Sequence, residues 1–377
     1  MNQWKGIALA FALSLSSSVV SVSLPYMLLY LKGILAPSKT LPAQLVAIDL
    51  GALSTAFMLS RTVASSLSHL SRPSIASLTL LISLIGMAFS TSVPQLLIFR
   101  ILQGSSLGLI WPHIEYSIAK SDRKSSNLAL LNLFSNLGFS TGNLMGGFLI
   151  LPTHPASVRI PFGVSALIAL ASLPLLVNLN VYKGRGSTSS AMKYLYLSAL
   201  FSGIALGMRV SVLPTYIIQY VTASPKMYSI AMAIPGYTVL FVSYLIARKT
   251  DFLSIEKKLL LSSQLKFIQA ISTSLIGFTR DYVALVLLLM LSRLGASTSV
   301  SISKAAQGEM GASVKHFGFR QTMFGLGNAI GPLVGSFLYT YLEGIGLGGG
   351  WVFAFSALMN VLSSYSLWKS MVHLRNS

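Results

Sequence analysis

Ionisable side chains set inside apolar runs are the residues of this 377-residue chain that could do chemistry. They are Asp49, Arg61, Arg100, Glu115, Arg209, Lys266 and Arg293. A charge held in the middle of a lipid bilayer costs on the order of 3 kcal/mol on insertion scales, so one that persists there needs a partner or a task. A carboxylate in such a place can take up and release a proton. A guanidinium can grip a carboxylate or phosphate through two parallel hydrogen bonds. Other chemistries find no footing. The chain has no cysteine, which excludes disulfides, thiolate metal sites and cysteine nucleophiles. It contains no H-E-x-x-H spacing, no G-x-x-x-x-G-K-S/T phosphate loop and no nucleophile–base set at suggestive spacing. The sequence therefore points to no enzyme, no metal and no cofactor.

Spacing sorts these residues. Arg100, Gly104, Gly108, Trp111 and Glu115 recur every three or four residues and share one helix face. That stripe suits a face turned to a bundle interior or cavity. Asp49 and Arg100 each lie a few residues into apolar runs that start on the same side, so both sit ~8–9 Å below one interface at ~1.5 Å per residue. One reading is an ion pair or shared water that breaks when the acid is protonated. The other is a static pair, or an arginine bonded to backbone carbonyls. Arg209 shares a face with Leu213, Tyr216 and Tyr220, and Lys266 is expected to snorkel to the inner interface.

The elements that must position these groups are membrane spans. Hydrophobic residues make up 53% of the chain and charged residues 9%, against about 25% charged in soluble domains. With roughly 20 apolar residues per span, twelve segments emerge: 6–31, 44–67, 74–92, 94–118, 127–151, 160–182, 194–220, 226–248, 258–279, 281–303, 318–341 and 350–372. The turns at 91–94 and 280–281 are near-hairpins. The formal net charge is +19. Its basic residues cluster in gaps between spans, which fits loops facing anionic lipid and argues against nucleic acid. With the N-terminus inside, the inner loops hold Arg72, Lys120, Arg123, Lys124, Lys183, Arg185, Arg248, Lys249, Lys257, Lys258 and Lys315; the outer loops hold Lys32, Lys39, Arg159, Lys226 and Arg280. The bias places both termini in the cytoplasm.

The chain also repeats itself. At an offset of 189 residues, Leu24-Pro25 falls on Leu213-Pro214, and Gly138, Gly142 and Gly146 fall on Gly327, Gly331 and Gly335. The offset covers six spans, so the halves enter the membrane in the same direction, as parallel repeats do. Glycines at four-residue spacing let helices approach closely in lipid. They form either an inert packing seam or a seam between two halves that slide.

Three stretches resemble the major facilitator superfamily. FRILQG (99–104) resembles its fourth-span R-x-x-Q-G signature, and GFSTGNLMGG (138–147) the fifth-span glycine signature of its antiporters, with Asn143 in place of proline. ASSLSHLSR (64–72) keeps only Arg72 of the loop signature between spans 2 and 3; Ser68 stands where that family has an aspartate. The matching loop of the second half, 247–258, keeps Asp251. The resemblance implies two six-helix bundles around a cavity near the membrane midplane, opening alternately to either side. It implies that spans 1, 4, 7 and 10 line that cavity, and that Arg72 meets Glu115 to latch the inner end.

The expected fold is an all-α integral membrane protein with twelve transmembrane helices in two parallel six-helix bundles. The expected domains are 1–182, a cytoplasmic linker at 183–193, and 194–377. The expected function is secondary transport of a small organic solute, by proton-coupled export or antiport. Uptake of an anionic metabolite is the alternative, and a non-transporting receptor or scaffold is the alternative of another class. Candidates for proton or substrate coupling are Asp49, Arg100, Gln103, Arg209 and Arg293; for the inner gate, Ser68, Arg72, Glu115 and Asp251; for the packing seam, Gly138, Gly142, Gly146, Gly327, Gly331 and Gly335. The expected partners are the lipid bilayer of the cell membrane, a small-molecule substrate, anionic on the alternative reading, and protons as coupling ion; the expected state is a monomer.

Overall fold

The computed structural model describes residues 3–33, 43–119, 124–150, 154–177, 190–221 and 225–375. Lys39, Lys120, Arg123, Lys183, Arg185 and most of the 183–193 linker lie outside them. Among the described residues there are twelve α-helices and no strand: α1 Gln3–Leu31, α2 Ala43–Ser66, α3 Pro73–Phe89, α4 Val93–Ala119, α5 Lys124–Phe148, α6 Ile160–Val177, α7 Ser190–Tyr216, α8 Pro225–Lys249, α9 Ile255–Ile276, α10 Tyr282–Glu309, α11 Val314–Gly344 and α12 Trp351–Arg375. A π-helical stretch, Ile217–Val221, continues α7. The all-α, twelve-helix fold expected from the apolar runs is the one adopted. Helices satisfy every backbone donor and acceptor within one segment, which is what lipid demands. Seven of them are long and apolar enough, by length and composition, to cross a membrane.

α3 shows how sequence becomes a lipid-facing surface. Ile75, Leu78, Ile82, Ile85 and Phe89 recur every three or four residues and are exposed, while Ala76, Leu80, Leu84 and Met87 on the opposite face are buried. An apolar stripe exposed on this scale belongs against acyl chains. The tight turns have local causes. Asp281 caps α10 by accepting the Ala284 N–H at 2.7 Å, and the Thr91 N–H donates to Gln95 Oε1 at 2.9 Å ahead of α4. α10 and α11 outrun the apolar segments read from sequence, α10 carrying Lys304 beyond the end of its segment.

The chain divides into two compact units. The first comprises Met1–Ile114 and Phe134–Tyr182, the second Glu115–Leu133 and Lys183–Ser377. The end of α4 and the beginning of α5 thus belong with the second unit.

Within each unit the repeated glycines do the same job. Atoms of α1 at Phe11 and Leu15 lie where a side chain on Gly138 would project, and atoms of Leu15, Ser18 and Val19 lie where one on Gly142 would. In the second unit, a Cβ at Gly331 would sit 2.7 Å from the Gly207 Cα and 2.8 Å from the Met208 nitrogen of α7. The seam therefore joins α5 to α1 and α11 to α7. It runs inside each unit, which corrects the reading of a sliding seam between halves: the glycines bring backbones of one unit into contact.

Serines supply the polar counterpart of this packing. Ser16 of α1 and Ser165 of α6 exchange bonds, each hydroxyl donating to the other's backbone carbonyl, with the hydroxyls 2.7 Å apart. Ser262 with Ser299 joins α9 to α10, and Ser263 with Ser364 joins α9 to α12. Such short side chains allow close approach and bond across helices, each worth about 1 kcal/mol in lipid.

Candidate functional site

In the first unit, the R-x-x-Q spacing places Arg100 and Gln103 one turn apart on α4. An Arg100 Nη donates to Gln103 Oε1 at 2.5 Å, and the guanidinium carbon lies 4.3 Å from the centre of the Phe57 ring on α2. Arg100 is 5% exposed and Gln103 fully buried. Arg100 Nε and Gln103 Nε2 are buried donors without an acceptor. Buried donors normally find one, so this group has capacity left for an anion or another acceptor. Gly104 and Gly108 lie against the α2 backbone at Phe57 and Arg61, so the small-residue stripe of α4 is where α2 packs. Arg61 lies 5.8 Å from the Trp111 ring.

The expected Asp49–Arg100 pair is not formed. Asp49 makes its salt bridge with Lys32, and both side chains are about a quarter exposed, at 26% and 29%. The reason is solvation: a partly wet lysine near the helix end is a cheaper partner than a guanidinium already stacked on a ring and bonded to an amide. Ser68 is buried, and its carbonyl lies 2.8 Å from His113 Nε2.

The second unit holds a richer polar group. Arg209 of α7 donates to the Ser292 hydroxyl of α10 at 2.7 Å, and Ser292 is 3.0 Å from the Thr273 hydroxyl of α9. Lys266 of α9 donates to Gln269 Oε1 at 2.9 Å. Lys266 sits mid-helix and is 4% exposed; it does not snorkel, since about 15 Å of helix separates it from the nearer end. Arg320 of α11 donates to Gln307 Oε1 at 3.0 Å and to the Ser303 hydroxyl at 2.6 Å. Lys266 lies within Coulombic reach of both Arg209 and Arg320, and Arg209 within reach of Arg293. Lys266–x–x–Gln269 repeats the cation–x–x–glutamine spacing of Arg100 and Gln103. A neutral amide orients the cation but leaves its charge uncompensated.

Near the C-terminal end of α4, Glu115 is 1% exposed and forms a salt bridge with Lys304 of α10, while Gln321 of α11 donates to the same oxygen at 2.7 Å. The expected partner, Arg72, is exposed. Lys304 wins because it reaches Glu115 from a buried helix face, where the pair escapes solvent screening. Asp251 accepts the Ser126 N–H at 3.2 Å, at the start of α5, where a helix's free N–H groups and positive dipole end favour a carboxylate. Behind it, Lys258 pairs with Glu309 at 2.6 Å.

Sequence reading missed Lys304, Arg320 and Glu343. Lys304 carried a signal: it lies 189 residues from Glu115, the repeat offset. Arg320 looked like an edge residue because α11 begins earlier than its apolar stretch. Glu343 accepts from Tyr220 at 2.5 Å and from the Gly349 N–H at 2.7 Å, so it folds the glycine-rich turn 344–350 onto the end of α11.

Neither a family model nor a curated protein matches the chain. Solved structures do. They include the human organic anion transporter MFSD10 (17% identity, TM-score 0.76, 97% of this chain and 100% of that one). The proton:xylose symporter XylE bound to 6-bromo-6-deoxy-D-glucose is similar at 13% identity and TM-score 0.74, over 97% and 94% of the two chains. The transporter FucP in its outward conformation follows at 11% identity and TM-score 0.71, over 98% of each. The chain thus has the fold of a major facilitator superfamily permease, a multi-pass membrane architecture.

Proposed function

We propose that the chain is a secondary transporter for a small organic anion, working by alternating access between bundles 1–182 and 194–377 joined by the 183–193 linker. The single observation that carries this reading is the group of basic side chains on α7, α9, α10 and α11, Arg209, Lys266, Arg293 and Arg320, with the bonds of Arg209, Lys266 and Arg320 going to neutral hydroxyls and amides. Positive charge oriented by neutral groups in a low-dielectric interior attracts anions and repels cations. Arg100 and Gln103 supply further unused donors. MFSD10, similar over its whole length, is described as an organic anion transporter; XylE is described as a proton symporter. The protein then resides in the cell membrane with both termini cytoplasmic. Glu115 and Asp251 act at the inner gate, with Lys304 in the role first read for Arg72.

The test is exchange in proteoliposomes loaded with inorganic phosphate, succinate or benzenesulfonate, against tetraethylammonium and xylose. Saturable exchange of at least one anion, and of neither control, is expected. Arg209→Gln and Arg320→Gln each lower it about tenfold or more, the weight of one charge-assisted contact. Exchange confined to tetraethylammonium or xylose overturns the reading.

A further inference from the structure

A proton-coupled carrier needs a side chain that exchanges a proton where the cargo binds. The carboxylates among the expected site residues are engaged elsewhere: Asp49 with Lys32, Glu115 with Lys304, and Asp251 at the start of α5. Glu115 lies within Coulombic reach of Arg320 but is bonded to Lys304 and Gln321, and the bonds of Arg209, Lys266 and Arg320 go to neutral hydroxyls and amides. Within that group, a guanidinium keeps its proton at every accessible pH, whereas an amine does not.

We propose that Lys266 is the proton carrier of this transporter, taking up a proton as the anion binds and losing it as the anion leaves. The inference rests on the anion reading above and deepens it by naming the coupling group. Its balance is simple. The neutral amine of Lys266, a proton from water and the anion combine to give an ammonium–anion pair; release reverses all three. No bond other than N–H forms or breaks.

The geometry supports this from each side. α9 packs against α10 and α12. From α7 comes Arg209 and from α11 Arg320, both cations within reach of the ammonium. α10 contributes Arg293, linked through its proximity to Arg209, and the neutral Ser292. The titratable groups of α12 are turned to other work, Lys369 over the Tyr365 ring and His373 against Tyr194. Lys266 itself bonds to Gln269 Oε1, an acceptor that can hold an ammonium and gains no charge from it. An anion arriving beside Lys266 supplies a countercharge that the neutral Gln269 does not, so its binding and protonation of the amine favour one another.

Two measurements on the full-length protein test this. The first is proton uptake on anion addition, followed with a pH dye in weakly buffered detergent solution at about pH 8.5, where phosphate, succinate and benzenesulfonate are almost wholly ionised. A proton that disappears there is taken by the protein. Wild type is expected to take up as much as about one proton per anion bound. Lys266→Arg keeps a fixed cation but no exchangeable proton: the protons taken up per anion exchanged fall at least tenfold, and pH-gradient-driven accumulation falls to background. Should that variant fail to elute as a single monodisperse species, Lys266→Gln replaces it, with weakened anion exchange and no proton uptake expected. Exchange of anions by wild type without proton uptake, or proton uptake that survives in either variant, overturns the proposal while leaving anion transport standing. Absence of any anion exchange by wild type removes the anion reading itself.

Discussion

Glu115 and Lys304, an acid and a base, pair across a separation of 189 residues, the offset at which the glycines recur. A buried pair contributes little net stability, yet removing one partner strands the other and costs about 3–5 kcal/mol. Glu115→Gln is therefore expected to lower the midpoint of thermal unfolding in detergent sharply. The double variant Glu115→Gln, Lys304→Met is expected to regain more than half of that loss. Equal midpoints for the single and double variants would show that the two charges do not depend on one another. The same reasoning explains why Arg100, bonded to an amide and stacked on Phe57, is held without a carboxylate: ring and amide orient the guanidinium and leave its positive charge available.

At the scale of elements, close approach rather than apolar bulk holds helices together, because lipid tails are as apolar as leucine. Gly331 faces the α7 backbone at Gly207 and Met208. Gly331→Leu is expected to cost about 1–3 kcal/mol by overpacking, read as a lower unfolding midpoint. Gly163 of α6 has no neighbouring heavy atom within 4 Å of where a Cβ would stand. Gly163→Ala is expected to be neutral or to stabilise by about 0.5–1 kcal/mol, the entropic gain over glycine in a helix. If both changes behaved alike, the contact between α11 and α7 would not be what makes Gly331 necessary. The reciprocal serine pairs follow the same logic, each using a short side chain that keeps the helices near.

For the whole molecule, the basic bias of the loops is the physical basis of orientation. The absence of cysteine makes that orientation measurable. Thr91 and Ser74 are exposed at opposite ends of α3, about 25 Å apart along the helix. With both termini inside, a membrane-impermeant maleimide is expected to label Thr91→Cys on intact cells, and Ser74→Cys only after permeabilisation. The reverse pattern would invert the topology and move Glu115 and Asp251 to the outer side.

Apolar runs, loop charges and the glycine repeat were enough to determine the helices, their number and the fold class. These follow from rules that act along the chain: lipid requires about 20 apolar residues per helix and satisfied backbone groups, and both are local. The pairings were decided only by tertiary structure. Asp49 chose Lys32 and Glu115 chose Lys304, the glycine seam proved to lie within each unit, and Lys266 and Arg320 came within reach of Arg209 and Glu115, respectively. An ionic contact depends on which faces meet and how much water each retains, and residues far apart in sequence set both.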